Sequence, residues 1–361
     1  MDGKIKCMEC GHEAHFLQPH LEEDCIGVEA YVQRHPDHPL MSGSAQAKVE
    51  ELRVRTRGNE RKTFSIKSNF GLDLGSNIKD VVGYANPFAE TPKIDPDYVF
   101  RKDLLAYVLY AFTNPEERML LTGPTGSGKT SVIEQTAARL NMPLTRMNAD
   151  GDMTRGDLVG EWKIKGDSMY FMYGVLPSAM KKGHIFIVDE WDAAPPHVNM
   201  VLQAVLEGKP LMITETAEAI YPHDDFRIFA TANTVGQGDS TGLYNGTNHQ
   251  NFATLDRFSM VELVDYADAS VELGILTKKL KIDDKQALKK MIDVATKIRS
   301  AFKNDEIRVT MSTRTIVNIG KKILEFGDVA RAYKIAFLNK LNQDDKVFIS
   351  EIIQRVWGVY C

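Results

Sequence analysis

Cysteine is scarce in this chain of 361 residues: four occur, and three of them, Cys7, Cys10 and Cys25, fall within the first 25 positions. That scarcity excludes a disulfide-stapled scaffold, and thiols crowded at one end of a cysteine-poor chain point to metal before disulfide. Long apolar runs are missing too. The longest, Leu104 to Phe112, is too short to span a bilayer, and no basic, then apolar, then small-residue leader opens the chain. A cytoplasmic location without membrane attachment is the expectation. Charge of one sign is also lacking: 44 Lys and Arg against 49 Asp and Glu leave a net charge of −5. This argues against indiscriminate nucleic-acid binding, although a local basic stretch can still serve. There is no internal repeat and no low-complexity segment. The hydrophobic share of 43% and charged share of 26% are those of a globular protein with room for two or three domains.

What is present is concentrated first at residues 118 to 131. A short apolar strand, Arg118 to Thr122, runs into Gly123, Pro124, Thr125, Gly126, Ser127, Gly128, Lys129, Thr130 and Ser131, and a helical pattern continues to Leu140. GxxxxGK[ST] between a strand and a helix is a phosphate cradle. The glycines let successive N–H groups converge on the β- and γ-phosphates, Lys129 adds a point charge, and Thr130 offers a hydroxyl to Mg²⁺. ATP and Mg²⁺ are therefore the expected ligands.

Composition divides the chain into four stretches: 1–40 with clustered Cys and His, 41–82, 83–266 and 267–361. In the second, Arg53, Arg55, Arg57, Arg61, Lys62 and Lys67 interleave with Leu52, Val54, Phe64 and Ile66. The alternation permits a short strand pair, but a solvated linker is the favoured reading. The third alternates strands (118–122, 144–148, 184–188, 227–232, 259–264) with helices (102–112, 130–140, 197–206), which implies α/β architecture with a parallel sheet covered on both faces. The fourth shows only helical periods, at 270–279, 284–302, 312–326, 328–341 and 344–359, and reads as an all-helical lid.

Hydrolysis needs a metal anchor, a base for water and a sensor of the γ-phosphate. Ile185 to Val188 form an apolar strand that ends in Asp189 and Glu190. Asp189 is placed to hold Mg²⁺ and Glu190 to polarise the attacking water. Phe226 to Ala232 form another strand, ending in Asn233, which can orient that water. Arg257 and Arg314 are candidates to stabilise charge on the transferred phosphoryl group, and such an arginine can come from a neighbouring subunit.

The amino terminus reads Cys7-x2-Cys10-x9-His20-x4-Cys25. Two close thiolates followed by His and Cys at finger-like spacing can enclose a tetrahedral Zn²⁺, and so small a module needs metal to fold. His12 or His15 can stand in for an assigned ligand. Four ligands close the shell, so the expected site is structural. Residues 7 to 41 distantly resemble Ros/MucR-type zinc fingers. Glu22, Glu23 and Asp24 stand where a DNA-reading helix prefers basic residues, so docking to protein is favoured over docking to nucleic acid. Cys361 has no partner in sequence.

The set Lys129, Thr130, Asp189, Glu190, Asn233, Arg257, Arg314, in that order, resembles the AAA+ ATPases of the MoxR and chelatase branch: a P-loop αβα sandwich followed by a helical lid. More narrowly, residues 230 to 259, Ile133 to Asn141, Asp157 to Gly160, Gly174 to Pro177 and Asp189 to Ala193 are similar to the CobS family of ATPase subunits of aerobic cobaltochelatase. The resemblance implies Asn233 as first sensor, Arg257 as a finger acting across a subunit interface, and Arg314 as a second sensor in the lid. It also implies a ring, usually a hexamer, with ATP between subunits. The partners it implies are a chelatase large subunit and a von Willebrand-type partner, which together insert cobalt into a corrin precursor. Asp150 to Val175, with Trp162, Tyr170, Phe171 and Tyr173, matches an insert that faces a pore or partner in related rings, and Leu211 to Pro222 matches a second hairpin. Aromatic packing within the hairpin explains those residues equally well. A MoxR-like remodelling chaperone and a nucleic-acid-directed ATPase are the alternative functions.

Overall fold

The structure is a computed structural model that describes residues 4–36, 38–43, 45, 60–75, 79–239, 244 and 246–360. Arg53, Arg55, Arg57 and Cys361 lie outside the described residues. The chain forms two compact units, Met1–Arg61 and Lys62–Cys361. Among the described residues no helix is long and apolar enough to cross a membrane.

In the first unit, β1 (Ile5–Lys6) pairs antiparallel with β2 (Glu13–Ala14), followed by α1 (Gln18–Asp24) and α2 (Val28–Arg34). Its apolar core is small: Cys7, Leu17, Leu21 and Tyr31 are the fully buried members. The Tyr31 hydroxyl accepts from the Met8 N–H at 2.9 Å, which ties α2 to the cysteine turn.

The second unit opens within β3 (Arg61–Ser65), which begins at the boundary residue and is followed by α3 (Ile66–Phe70) and β4 (Asp80–Tyr84), with β3 paired to β4. Here the linker expected over 41–82 is corrected for its second half. Ile66 is 1% exposed, and Phe70 and Val81 are buried with it against Phe100, Leu104 and Val108. Arg61, Lys62 and Lys67 give the stretch a polar look because their heads stay in water while alternate residues turn inward.

Next come α4 (Lys102–Thr113), β5 (Met119–Thr122), α5 (Lys129–Arg139), β6 (Leu144–Asn148), α6 (Arg155–Val159) and the hairpin β7 (Gly160–Lys165) and β8 (Ser168–Tyr173). They are followed by α7 (Val175–Lys182), β9 (Ile185–Asp189), α8 (Pro196–Asn199), α9 (Leu202–Leu206) and the hairpin β10 (Leu211–Ile213) and β11 (Glu218–Ile220). The segment closes with β12 (Arg227–Ala232), α10 (Phe252–Leu255) and β13 (Met260–Leu263). Five strands make one parallel sheet in the order β13-β5-β12-β9-β6. Alternate side chains divide between its faces, as a two-residue period requires. Leu120, Phe186, Val188, Ile228 and Ala230 join one core, and Met119, Leu121, Ile185, Ile187 and Phe229 join the other. Since all five strands run the same way, Thr122, Asn148, Asp189 and Ala232 end at one edge. The helix expected over 197–206 is two short pieces, because the Val201 and Gln203 N–H groups bond three residues back rather than four.

The two hairpins are tied together. Arg155 pairs with Glu215, and Glu218 takes both the Tyr173 hydroxyl and Lys181. Beyond these ties the longer hairpin leaves Trp162, Ile164, Met169, Tyr170 and Met172 exposed, Ile164 at 74%.

The C-terminal region is all helix: α11 (Ala269–Leu280), α12 (Lys285–Lys303), α13 (Thr313–Phe326), α14 (Val329–Ala336) and α15 (Gln343–Trp357). Side chains of Asp284, Ser312, Asp328 and Asn342 accept first-turn N–H groups, so each of the last four helices begins on a polar cap. The buried Glu272 takes both ends of Arg299, at 2.8 and 3.0 Å, and the Thr313 hydroxyl at 2.6 Å, which fixes where α13 starts.

Ile66→Ala is expected to lower the unfolding free energy by about 2–5 kcal/mol, the cost of emptying a core site. Denaturant unfolding measures it; an unchanged midpoint is what a linker residue would give.

Candidate functional site

The loop between β5 and α5 crosses the edge where the parallel strands end. Gly128 caps α5 at φ 98°, a left-handed conformation that side chains avoid. Gly126 stands so near the start of α13 that an added Cβ would meet Ser312 Cβ at 2.7 Å. Loop, sheet edge and helical region thus enclose a cleft of about 520 Å³. Thr125 to Ser131, Asp189, Glu190, Asn233 and Arg314 all line it, with Tyr98, Val99, Ile275 and Val317 supplying apolar wall.

Lys129 is buried. Its ammonium donates to Gly123 O at 2.6 Å, Pro124 O at 3.0 Å and Asn233 Oδ1 at 3.3 Å. Burial pushes its pKa down to about 8, although the carboxylates of Asp189, Asp192 and Glu190 pull the other way. Thr130 Oγ1 donates to Asp189 Oδ1 at 2.7 Å, so a hydroxyl and a carboxylate already converge. Asp189 also takes the Thr231 hydroxyl and one arm of Arg146, whose Nη1 reaches Glu134 at 3.2 Å. Oxygen donors of this kind suit Mg²⁺. Glu190 follows at φ 56°, ψ 41°, a left-handed backbone rarely occupied by a side-chain-bearing residue, and its N–H donates to Thr231 Oγ1 at 3.3 Å. Strain of that sort costs on the order of 1 kcal/mol or more and persists where neighbours enforce it.

Of the expected residues, Gly123, Pro124 and Arg257 are not among those lining this cleft. Gly123 and Pro124 turn their carbonyls to the Lys129 ammonium, and Arg257 is held elsewhere, by Glu207 and the Ala253 carbonyl.

Several contributors were not singled out from sequence. Asp192 is 0% exposed, and its Oδ2 accepts from Asn233 N at 3.1 Å, Thr234 N at 2.8 Å and Thr234 Oγ1 at 2.8 Å. It therefore sets the turn on which Asn233 stands. An acid among Trp191, Ala193 and Ala194 was the available signal, since a carboxylate in apolar company must find donors. Tyr244 and Tyr266 grip the loop tip: Thr125 N donates to Tyr244 Oη at 3.2 Å, and Tyr266 Oη donates to Thr125 O at 3.3 Å. No local pattern marks either tyrosine.

In the first unit, Cys7 and Cys10 from the turn after β1, His20 on α1 and Cys25 just beyond it bring four ligand atoms within 4.8 Å of one another. Cys10 Sγ lies 2.9 Å from His20 Nε2. His12 stacks on the His20 ring, and His15 Nδ1 bonds Ser42 Oγ at 2.9 Å, so both stand beside the cluster rather than in it.

A parallel sheet with this cradle, acid pair and strand-end asparagine at one edge defines a P-loop ATPase of the AAA+ class. The family described as AAA domain (dynein-related subfamily) matches residues 118–258, and that described as CbbQ/NirQ/NorQ C-terminal matches residues 272–356. Aerobic cobaltochelatase subunit CobS of a Sinorhizobium species is 38% identical over 82% of this chain and 91% of that protein. Protein NorQ of Paracoccus denitrificans is 28% identical over 70% and 90%. Among solved structures, the Thermotoga maritima RuvB Holliday junction branch migration motor aligns over 73% of this chain and 72% of its own, at TM-score 0.44 and 13% identity. The chain belongs to the CbbQ/NorQ/CobS family of MoxR-like AAA+ ATPases, and it is an ATP-hydrolysing enzyme.

Asp192→Ala strips the acceptor from two backbone N–H groups beside Asn233. Misplacement of a site residue on that scale is expected to cost about 100-fold in kcat. Steady-state ATPase assays should show this loss with ATP affinity nearly intact, and Asp192→Asn, which keeps an acceptor oxygen, should lose less.

Proposed function

We propose that this chain is a cytoplasmic ring motor that spends ATP to drive a cobaltochelatase, a partner large subunit inserting cobalt into a corrin precursor. The observation that carries the proposal is the similarity to CobS across 82% of the chain.

The N–H groups of 126–130 and the Lys129 ammonium bind the β- and γ-phosphates. Thr130 and Asp189 would hold Mg²⁺, which when bound withdraws charge from those phosphate oxygens. Glu190 takes a proton from water as that water attacks the γ-phosphorus, while Asn233 orients it. The bond from γ-phosphorus to the β–γ bridging oxygen breaks, giving ADP and phosphate. Arg314 on α13 and Arg257 of a neighbouring copy meet the charge spreading over the transferred group, which makes the ring necessary for turnover. Hexamers are the expected ring. The NorQ relative and the CbbQ/NirQ/NorQ C-terminal match favour a second reading, remodelling of a protein client by the same motor.

Glu190→Gln should bind ATP with little turnover, Lys129→Ala should bind it weakly, and Glu190→Gln held in ATP should co-purify with a chelatase large subunit and its von Willebrand-type companion. Capture of a different client in their place selects the remodelling reading. Normal hydrolysis by Glu190→Gln would sink the site assignment itself.

We also infer that Cys7, Cys10, His20 and Cys25 hold a structural Zn²⁺. Three thiolates and one imidazole are soft donors that fill a tetrahedral shell, and a core that among the described residues has four buried side chains is too small to hold the unit without help. Metal analysis of the purified chain should return one zinc per chain, and Cys10→Ser should bring it near zero. Chelation should also abolish the amide dispersion of residues 4–45 in NMR spectra; a folded unit free of metal would exclude the site.

A further inference from the structure

Arg257 is held as an instrument rather than left as a loose surface charge. Its backbone follows α10, which is pinned to α9 by a bond from Gln203 Nε2 to Thr254 Oγ1 at 2.9 Å. Phe258 beyond it is buried against Trp191, with ring centroids 5.5 Å apart. The side chain is held as firmly. Nε donates to Glu207 Oε1 at 2.5 Å, and Nη1 donates to the Ala253 carbonyl. Among the described residues Nη2 has no hydrogen-bond partner, while the side chain keeps 29% of its surface exposed. Glu207 is itself fixed: it caps the C-terminus of α9, and its Oε2 takes Lys209 Nζ at 2.5 Å. The Lys209 and Arg257 cations hold its carboxyl below the usual glutamate range.

We propose that Glu207 is a positioning residue for phosphoryl transfer: it grips the Nε edge of Arg257 so that Nη2 is presented, pre-oriented, to the γ-phosphate in a neighbouring copy's cleft. The proposal rests on the reading of Arg257 as a residue acting between subunits. An arginine side chain left free carries several rotatable bonds, and ordering it only on encounter would raise the barrier. A guanidinium has five N–H donors in a planar fork, so engaging one edge leaves the other able to bind phosphate oxygens. An exposed ion pair with no such duty is worth little and would be expendable.

The test is a double-mutant cycle in full-length rings, with ATPase kinetics, ATP-dependent assembly and thermal melting measured on each variant. Arg257→Ala should lower kcat by about 1000-fold or more. Glu207→Ala should lower it about 10- to 100-fold with KM for ATP little changed. Adding Glu207→Ala to Arg257→Ala should cost nothing further, because a residue that acts only through Arg257 has nothing left to position. Glu207→Gln, which keeps an oxygen acceptor for Nε–H, should hold more activity than Glu207→Ala, and that ordering separates positioning from a folding defect. Wild-type kcat in Glu207→Ala, or losses that multiply in the double variant, would overturn the proposal. If Arg257→Ala keeps full activity, the reading of Arg257 fails and the proposal falls with it, a result distinguishable from failure of the Glu207 arm alone.

Discussion

A single buried carboxylate organises this ATPase. Asp189 ends the apolar strand β9 inside the sheet edge, where an unpaired charge would be costly. Its compensation comes from three other elements at once: Thr130 on α5, Thr231 on β12 and Arg146 on β6. Each contact fixes the register of a neighbouring element relative to β9. The geometry that brings Lys129, Glu190 and Asn233 into one cleft follows from satisfying this one group. The same pressure explains Asp192, whose burial is tolerable because the turn after β12 brings it backbone donors. Two acids three residues apart thus fix the two ends of the cleft's sheet edge, one through side chains and one mainly through main chain.

Much of this could be read from residue order because the chemistry sits at strand ends. A parallel sheet delivers every strand to the same edge, so an apolar run followed by Asp-Glu or Asn already gives a position in space. The helices of the C-terminal region were readable for a similar reason: their apolar spacing is a local signal. What stayed hidden depends on partners far apart in sequence. Arg146 meets Asp189 across 43 residues, Tyr266 meets Thr125 across 141, and neither pairing leaves a local trace. The stretch around Ile66 misled for a different reason, since its lysines and arginines carry their charge outward while Phe64 and Ile66 pack beneath them.

The first unit obeys a different economy of forces. Among the described residues its complete helices have 7 residues each and its strands two, too little to bury a self-sufficient core. Cys7, the one buried member of the Cys/His cluster, joins Leu17, Leu21 and Tyr31 in the small core of this unit. Tyr31 links both aspects, shielding the turn with its ring and accepting from the Met8 N–H with its hydroxyl.

The ties between the two hairpins have a mechanical meaning. Because Glu218 holds Tyr173 and Lys181, and Glu215 holds Arg155, the longer hairpin and the shorter one share a single base. The shorter one leads directly into β12, the strand that ends beside Asn233. A six-residue strand extends about 20 Å, so a rotation of about 5° at that base sweeps the Ile164 tip by about 2 Å. The shared base thus acts as a lever arm: a small angular change there becomes a larger displacement at an apolar tip.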